Sequence, residues 1–120
     1  MEENMAKGKG QKKAELLPGT LEMLILKALD RNGEPMHGYG IAQFIKQISR
    51  DVLRVEEGSL YPALQRLALK GWVATEWGQS ENNRRARYYK LTAGGRKQLA
   101  REMADFETVL EGILRVLQPA

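Results

Sequence analysis

The chain has 120 residues, 42% of them hydrophobic, a length that fits one domain with a modest core. It contains no cysteine, which excludes disulfides, thiolate metal sites and cysteine nucleophiles, and favours a reducing compartment. No stretch approaches the roughly 20 apolar residues that span a bilayer, and the N-terminal residues lack the apolar centre of a signal peptide. We therefore expect a cytoplasmic protein that has no membrane contact.

The net charge of +4 is unevenly distributed. Residues 79–97 hold six basic residues and one acidic residue, a local charge of +5 that leaves −1 for the rest of the chain. Such concentration is typical of a nucleic-acid-binding face, although a solvated hairpin tip would show the same pattern.

The first half of the chain predicts mainly helices. Residues 1–14 are polar and rich in lysine and glycine, and we expect a disordered basic tail. A first helix is predicted over 20–31; because it is apolar nearly all round, it must be covered on more than one side. A second helix is predicted over 38–49, and "VLRV", 52–55, is interpreted as a short strand. His37, the single histidine, is expected to cap or turn the chain before the second helix.

A third helix is predicted over 58–70, "GSLYPALQRLALK". Pro62 fits only the first turn of a helix, where its missing N–H has no intrahelical partner, so the start of the helix is expected near 58–61. The leucines form a buried stripe, and hydrogen-bonding or cationic groups are expected on the opposite face: Ser59, Tyr61, Gln65 and Arg66.

Two strands, 72–77 and 86–91, flank the turn formers of "GQSENNRR" and predict a β-hairpin with a long basic tip. A long helix follows and ends before Pro119. Its apolar residues recur at spacings of four and three, as in the a/d seam of a coiled coil: Leu99, Met103, Phe106, Leu110, Ile113 and Leu117. The helix could pack within its own domain, but we favour a homodimer in which this seam combines with residues of the first helix: Leu21, Leu24 and Ile25.

This order predicts a fold that is mainly α with a small β-hairpin (α+β). Residues 15–92 would form a winged helix-turn-helix domain and residues 93–120 a dimerisation helix. In helix-turn-helix proteins the second helix of the motif enters the major groove. The polar face of the third helix would then face base edges, and the basic hairpin tip would lie along the sugar–phosphate backbone or in a minor groove.

Three motifs carry a family resemblance: "HGYGIAQFI", "GSLYPALQRLALKGWV" and "RARYYKLTAGGRKQL". Together, in this order and spacing, they resemble the PadR family of bacterial transcriptional repressors over residues 16–117. The short C-terminus resembles the subfamily with a single dimerising helix. Gly40 departs from the family, which commonly has an acidic residue there, and we expect at most a looser start of the second helix.

The resemblance implies that Ser59 and Tyr61 contact DNA and that Tyr39 contacts phosphate, although Tyr39 could instead anchor the start of a helix. It implies basic residues in the hairpin, and paired tyrosines, Tyr88 and Tyr89, of which one should be buried. The candidate DNA-contacting residues are Tyr39, Ser59, Tyr61, Gln65, Arg66, Lys70, Arg84, Arg85 and Arg87.

Related repressors release DNA when aromatic small molecules bind, so the resemblance also implies an effector, and Phe106, at the middle of the seam, is the candidate contact. The same phenylalanine could be ordinary dimer core. We find no catalytic triad, metal-ligand spacing or phosphate-binding loop, and we expect no enzyme and no cofactor. The alternative to a DNA-binding regulator is a winged helix that binds another protein without reading DNA.

Overall fold

The computed structural model of the chain describes residues 19–119. The predicted basic tail, residues 1–14, lies outside the described residues. The described part contains four helices and three strands, in this order: α1 (Thr20–Asn32), β1 (Met36–His37), α2 (Gly38–Ile48), α3 (Glu57–Leu69), β2 (Val73–Gln79), β3 (Arg85–Leu91) and α4 (Ala93–Leu117). The predicted α+β class is confirmed, and each predicted helix and hairpin strand is present with ends shifted by no more than two residues.

The predicted strand at 52–55 is wrong. These residues form an irregular connection between α2 and α3, in which Leu53 and Val55 are partly buried against the core. The third strand of the sheet is instead β1, which pairs antiparallel with β3 through Met36 opposite Tyr89 and His37 opposite Tyr88. A two-residue strand is too short to show the alternation that identifies strands, and an apolar run can be buried in a connection as well as in a sheet.

Helix α1 lies at the centre of the fold and contacts α2, α3, α4 and β3. Ile25 and Leu26 are fully buried there, which confirms that a helix apolar on all sides is covered on more than one side. The structure corrects the assignment of Ile25 and Leu99 to a dimer interface. Their side chains are 0% and 4% exposed within one protomer, because they pack into the same core.

The start of α4 is fixed to the end of the hairpin. Thr92 caps the helix: its Oγ1 accepts a hydrogen bond from the Gly95 N–H at 2.9 Å and donates one to the Gly71 carbonyl at 2.8 Å. Gly95 is buried directly against the backbone of Trp72, where any Cβ would overlap the Trp72 carbonyl oxygen. The first two turns of α4 are therefore part of the domain core.

The second half of α4 is not packed against any other part of the chain that the structure describes. Every described residue from 104 onward is exposed. Its apolar side chains form a continuous surface in the described protomer, and they include the predicted seam residues Phe106, Leu110, Ile113 and Leu117. Met103, Leu21 and Leu24 are partly buried at the border between this surface and the core.

Helix α3 begins at Glu57, one residue before the predicted start, so Pro62 lies in its second turn. The proline lacks the N–H that would bond to the Gly58 carbonyl. Both residues are on the exposed side of the helix, where water can hydrogen-bond to that carbonyl. The opposite side buries the predicted stripe, Leu60, Ala63, Leu64 and Leu67.

Candidate nucleic-acid interface

The start of α2 is ordered by the histidine before it. His37 has extended backbone geometry, and its Nδ1 accepts a hydrogen bond from the Gly40 N–H at 3.0 Å. Its ring packs edge-on against Tyr88, with the ring centroids 5.3 Å apart. The predicted capping role of His37 is confirmed. The departure at Gly40 does not remove this cap, because a backbone N–H is the donor.

Tyr39 and Gln43 extend from the first turns of α2. The Tyr39 side chain is 62% exposed, and its hydroxyl oxygen accepts a hydrogen bond from Gln43 Nε2 at 2.7 Å. Because the hydroxyl oxygen is already an acceptor, its own proton remains available to a further acceptor such as a phosphate oxygen.

Tyr61 projects from α3 onto the start of α2. Its ring lies so close to Gly38 that a Cβ built on Gly38 would be 2.6–2.9 Å from three of the phenol atoms. Partial burial, followed by the negative charge of Glu57 and the proximity of Tyr89, raises the pKa of Tyr61 above its ordinary value. The side chain is still 45% exposed, so one side of the ring packs and the other faces solvent.

The predicted polar face of α3 is divided into two flanks. At about 100° per residue, Ser59 and Tyr61 point in nearly opposite directions around the exposed half of the helix. Tyr61 faces α2 and the hairpin, whereas Arg66 reaches α1, where its Nε is 2.6 Å from Glu22 Oε2. Gln65 lies between the flanks on the exposed ridge. Lys70, at the end of the helix, places its ammonium 4.9 Å from the centroid of the Trp72 ring.

The hairpin is a compact wing with a short tip. Strands β2 and β3 pair from Val73 opposite Leu91 to Gln79 opposite Arg85, so the strands are longer and the loop shorter than predicted. The Asn83 N–H bonds to the Ser80 carbonyl at 3.0 Å, and the Ser80 N–H bonds to the Arg84 carbonyl at 2.8 Å. Asn83 has a left-handed φ of 61°, a conformation that asparagine tolerates well and that closes a three-residue hairpin loop.

The paired tyrosines of β3 alternate as predicted. Tyr89 is 7% exposed and belongs to the core. Tyr88 is half-buried on the opposite face of the sheet, and its hydroxyl donates a hydrogen bond to the Gln79 carbonyl at 2.8 Å.

The basic residues of the wing differ from many other arginines in the described chain. Arg54, Arg66, Arg96 and Arg115 each lie within 4 Å of a carboxylate oxygen. Within residues 19–119, Arg84, Arg85 and Arg87 form no ion pair. Arg85 and Arg87 lie instead over the Trp77 ring. The guanidinium carbon of Arg85 is 4.4 Å from the ring centroid, and that of Arg87 is 5.1 Å from it. Among the described residues, these three guanidinium groups are therefore not held in ion pairs and can bind an anion.

An open cleft of about 810 Å³, which we call the wing cleft, separates the wing from the starts of α2 and α3. It brings together five of the predicted DNA-contacting residues, and these are Tyr39, Tyr61, Arg84, Arg85 and Arg87. Ser59, Gln65, Arg66 and Lys70 do not line it. Arg66 in particular is held against α1 by Glu22, so its guanidinium is occupied within the protomer.

The wing cleft is also lined by polar or aromatic residues that sequence reasoning did not assign to the site: His37, Gln43, Trp77, Ser80, Glu81, Asn82 and Tyr89. The Trp77 side chain lies along the hairpin and is 54% exposed. The strand period carried a usable signal. Trp77 is two positions after Thr75 and four positions after the buried Val73. It therefore lies on the core-facing side of β2, beyond the edge of the core.

The described part of the chain has neither a metal-binding cluster nor a membrane-spanning helix. Residues 19–119 contain no group of three or more histidine, aspartate and glutamate side chains placed to hold a metal ion. No helix in the same range has the length and apolar character required to cross a bilayer.

These features define a class of protein. Three helices, a hairpin wing that carries Arg84, Arg85 and Arg87, and a long C-terminal helix make a winged helix-turn-helix of the kind used by DNA-binding regulators. The sequence profile of the transcriptional regulator PadR-like family matches residues 25–101, so the chain belongs to that family. Its members regulate transcription and are not enzymes.

Solved structures of similar fold include proteins of the same family. A PadR-like transcription factor from Bacteroides fragilis is 33% identical, with a TM-score of 0.65 over 82% of this chain and 90% of that one. A PadR family regulator from Eggerthella lenta is 29% identical, with a TM-score of 0.69 over 85% of each chain. A PadR-like regulator from Bacillus cereus is 25% identical, with a TM-score of 0.71 over 89% of this chain and all of that one.

Proposed function

We propose that this regulator acts as a homodimer that binds an inverted-repeat operator and represses transcription. The observation that carries the proposal is the pairing of the exposed ridge of α3 with a wing whose three arginines have no acidic partner within residues 19–119. The ridge presents Gln65, which has the reach and the donor and acceptor groups to read a base edge in the major groove.

The wing is proposed to bind the DNA backbone. Phosphate oxygens are strong acceptors, and arginine guanidinium groups bind them with paired, charge-assisted hydrogen bonds. The Tyr39 hydroxyl, whose oxygen accepts from Gln43, lies on the other wall of the wing cleft, and we expect it to donate to a neighbouring phosphate. Backbone contacts on both walls would fix the orientation of α3 in the groove.

The proposed dimer forms through the exposed half of α4. Phe106, Val109, Leu110, Ile113 and Leu114 are 38–58% exposed in the protomer, and a surface of this kind is normally buried against a partner. A two-fold axis through this surface would present two copies of α3 to half-sites about 34–36 Å apart, one turn of DNA. Phe106 would then meet its copy near the axis, where a flat aromatic effector could bind and release the DNA.

DNA titrations at several salt concentrations test the proposal. A dimer that neutralises about 6–10 phosphates should lose about 10³–10⁵-fold in affinity between 50 and 200 mM salt. Selection of bound fragments from sheared genomic DNA should return inverted repeats. A flat salt response, or no mobility shift with any fragment, would contradict the proposal and favour a protein-binding winged helix.

The effector is tested separately by thermal unfolding of the purified regulator with a panel of phenolic and planar aromatic compounds. A stabilising compound should also release bound DNA, and Phe106→Ala should abolish both effects. If no compound stabilises the protein, the ligand-sensing part of the proposal fails while DNA binding stands.

A further inference from the structure

Along one face of the wing, the side chains change from apolar near the core to polar and cationic near the tip. Cross-strand partners share a face of the sheet, so Val73–Leu91 and Thr75–Tyr89 are followed on the same side by Trp77–Arg87 and Gln79–Arg85. The first pairs lie in or beside the core, where Val73 and Tyr89 are buried. The later pairs extend beyond the body of the domain and line the wing cleft, which Trp77, Arg85 and Arg87 all border.

Trp77 is the largest side chain of that extension, yet it does not contribute to the core. It is 54% exposed and is not among the residues of the hydrophobic cluster. Its packing partners are cations: the guanidinium carbons of Arg85 and Arg87 are 4.4 and 5.1 Å from its ring centroid. Both distances are within the range of cation–π attraction.

The Trp77 ring offsets the electrostatic repulsion between the two arginines that lie over it. Arg85 and Arg87 are two residues apart on one face of β3, neither forms an ion pair within residues 19–119, and their like charges repel each other. The negative face of the indole ring attracts both guanidinium groups. Stacking uses the flat face of a guanidinium and leaves the N–H groups at its edge free to donate, and these are the groups that bind phosphate oxygens.

We propose that Trp77 is a positioning residue for DNA binding: its ring holds Arg85 and Arg87 over the wing cleft so that both bind backbone phosphates without first being ordered. This inference rests on the proposed function. It assigns to Trp77 an indirect role, in which the indole acts through the two arginines and does not itself contact a base or a sugar. Arg84, at the tip of the wing, is not held by the ring and is the matched control.

The proposal is tested by a double-mutant cycle on DNA affinity with the full chain. Trp77→Leu should weaken binding to specific and random duplexes alike by roughly 5- to 20-fold, the order expected from two exposed cation–π contacts. In a chain carrying both Arg85→Ala and Arg87→Ala, the same Trp77→Leu change should have less than about a twofold further effect. In a chain carrying Arg84→Ala, it should keep its full effect. Trp77→Phe, which keeps an aromatic face, should restore part of the lost affinity.

A second readout does not involve DNA. The Nε–H NMR signals of Arg85 and Arg87 in the free protein should lose dispersion in Trp77→Leu, while the signal of Arg84 is unchanged. The variant should unfold within a few degrees of the wild type, since the ring lies outside the core.

The outcomes distinguish failure of the positioning role of Trp77 from failure of the proposed DNA-binding function. If the wild type binds DNA and Trp77→Leu is as harmful without Arg85 and Arg87 as with them, the indole contacts DNA directly and the positioning role is wrong. If Trp77→Leu leaves wild-type affinity unchanged, the role is also wrong while the regulator function stands. If the wild type binds no DNA, the proposed function itself fails and this inference fails with it.

Discussion

The ring of Tyr61 rests on the Cα of Gly38, and this contact joins the two helices of the helix-turn-helix at the point where both begin. The "HGY" and "LYP" motifs are 20 residues apart in the sequence, and their spatial relation could not be inferred from either motif alone. The contact favours Gly38 for its small size and not for an unusual backbone conformation, because it lies in the first turn of a regular helix.

Gly38→Ala is expected to destabilise the fold by about 1–3 kcal/mol, since the new methyl group would overlap the Tyr61 ring. Urea unfolding measures this change. Gly58→Ala is the control: nothing lies within 4 Å of its Cβ position, so a gain of about 0.5–1 kcal/mol is expected from better helix propensity. In a Tyr61→Ala background the cost of Gly38→Ala should largely disappear. Equal effects of the two glycine changes would disprove the contact.

The pKa of Tyr61 is raised by its partial burial and by Glu57, so deprotonation of Tyr61 should destabilise the fold. The neutral phenol is the form that the fold favours; stability from this group is therefore complete below pH about 10, the unfolded pKa. It should be lost as the pH rises through the higher folded pKa. Absorbance at 295 nm should show one late-titrating tyrosine that is missing in Tyr61→Phe. Glu57→Gln should move that titration to lower pH, and an unmoved curve would argue against the proposed charge effect.

Gly95→Ala should be among the most damaging changes in the chain. Its Cβ would overlap the carbonyl oxygen of Trp72, which is backbone and cannot rotate away. We expect a loss of about 3 kcal/mol, at the upper end of the usual range for overpacking, measured as a lower midpoint of urea or thermal unfolding. The neighbouring Gly94→Ala, whose Cβ would have only ordinary contacts at 3.8–4.0 Å, should be close to neutral.

Gln65 and Arg66 are adjacent in the sequence but should respond differently to substitution. Gln65→Ala should alter base preference in a binding-site selection, because its side chain is on the exposed ridge of α3. Arg66→Ala should instead reduce stability by about 0.5–1 kcal/mol through loss of the ion pair with Glu22, and should leave the selected sequence unchanged. A changed operator in Arg66→Ala would show that the arginine leaves Glu22 to read DNA.

Ile113→Glu should convert the proposed dimer to a monomer, since it places a charge at the centre of the apolar surface of α4. Sedimentation velocity measures the change, and DNA affinity should fall with it because two half-sites are no longer bound together. Thr108→Glu, on the opposite side of the helix, should remain dimeric. A monomeric wild type would contradict the assembly proposed here.

Much of this fold is predictable from local pattern. The apolar period of the helices and the turn formers between the two long strands identify those elements, and Pro119 marks the end of α4. Local pattern could not find β1, because Met36 and His37 become a strand only through pairing with β3. It also assigned Ile25 and Leu99 to the dimer seam, because a heptad spacing does not reveal where the core of the protomer ends.

The basic residues of the candidate site were predictable from the sequence, whereas the residues that they contact were not. Arg84, Arg85 and Arg87 follow from composition alone, whereas the engagement of Arg66 by Glu22 depends on how α1 crosses α3, a relation between residues 44 positions apart. Trp77 was missed for a related reason: its exposure depends on how far the wing extends beyond the core.

The free end of α4 has a consequence for how the regulator responds to its own abundance. Residues 104–117 amount to fewer than four helical turns, and within the described part of the chain they extend the packed first half of the same helix without a buried side chain of their own. If the proposed dimer forms through this surface, each copy covers the exposed end of the other's helix, and the fraction of chains able to bind two half-sites should rise with protein concentration.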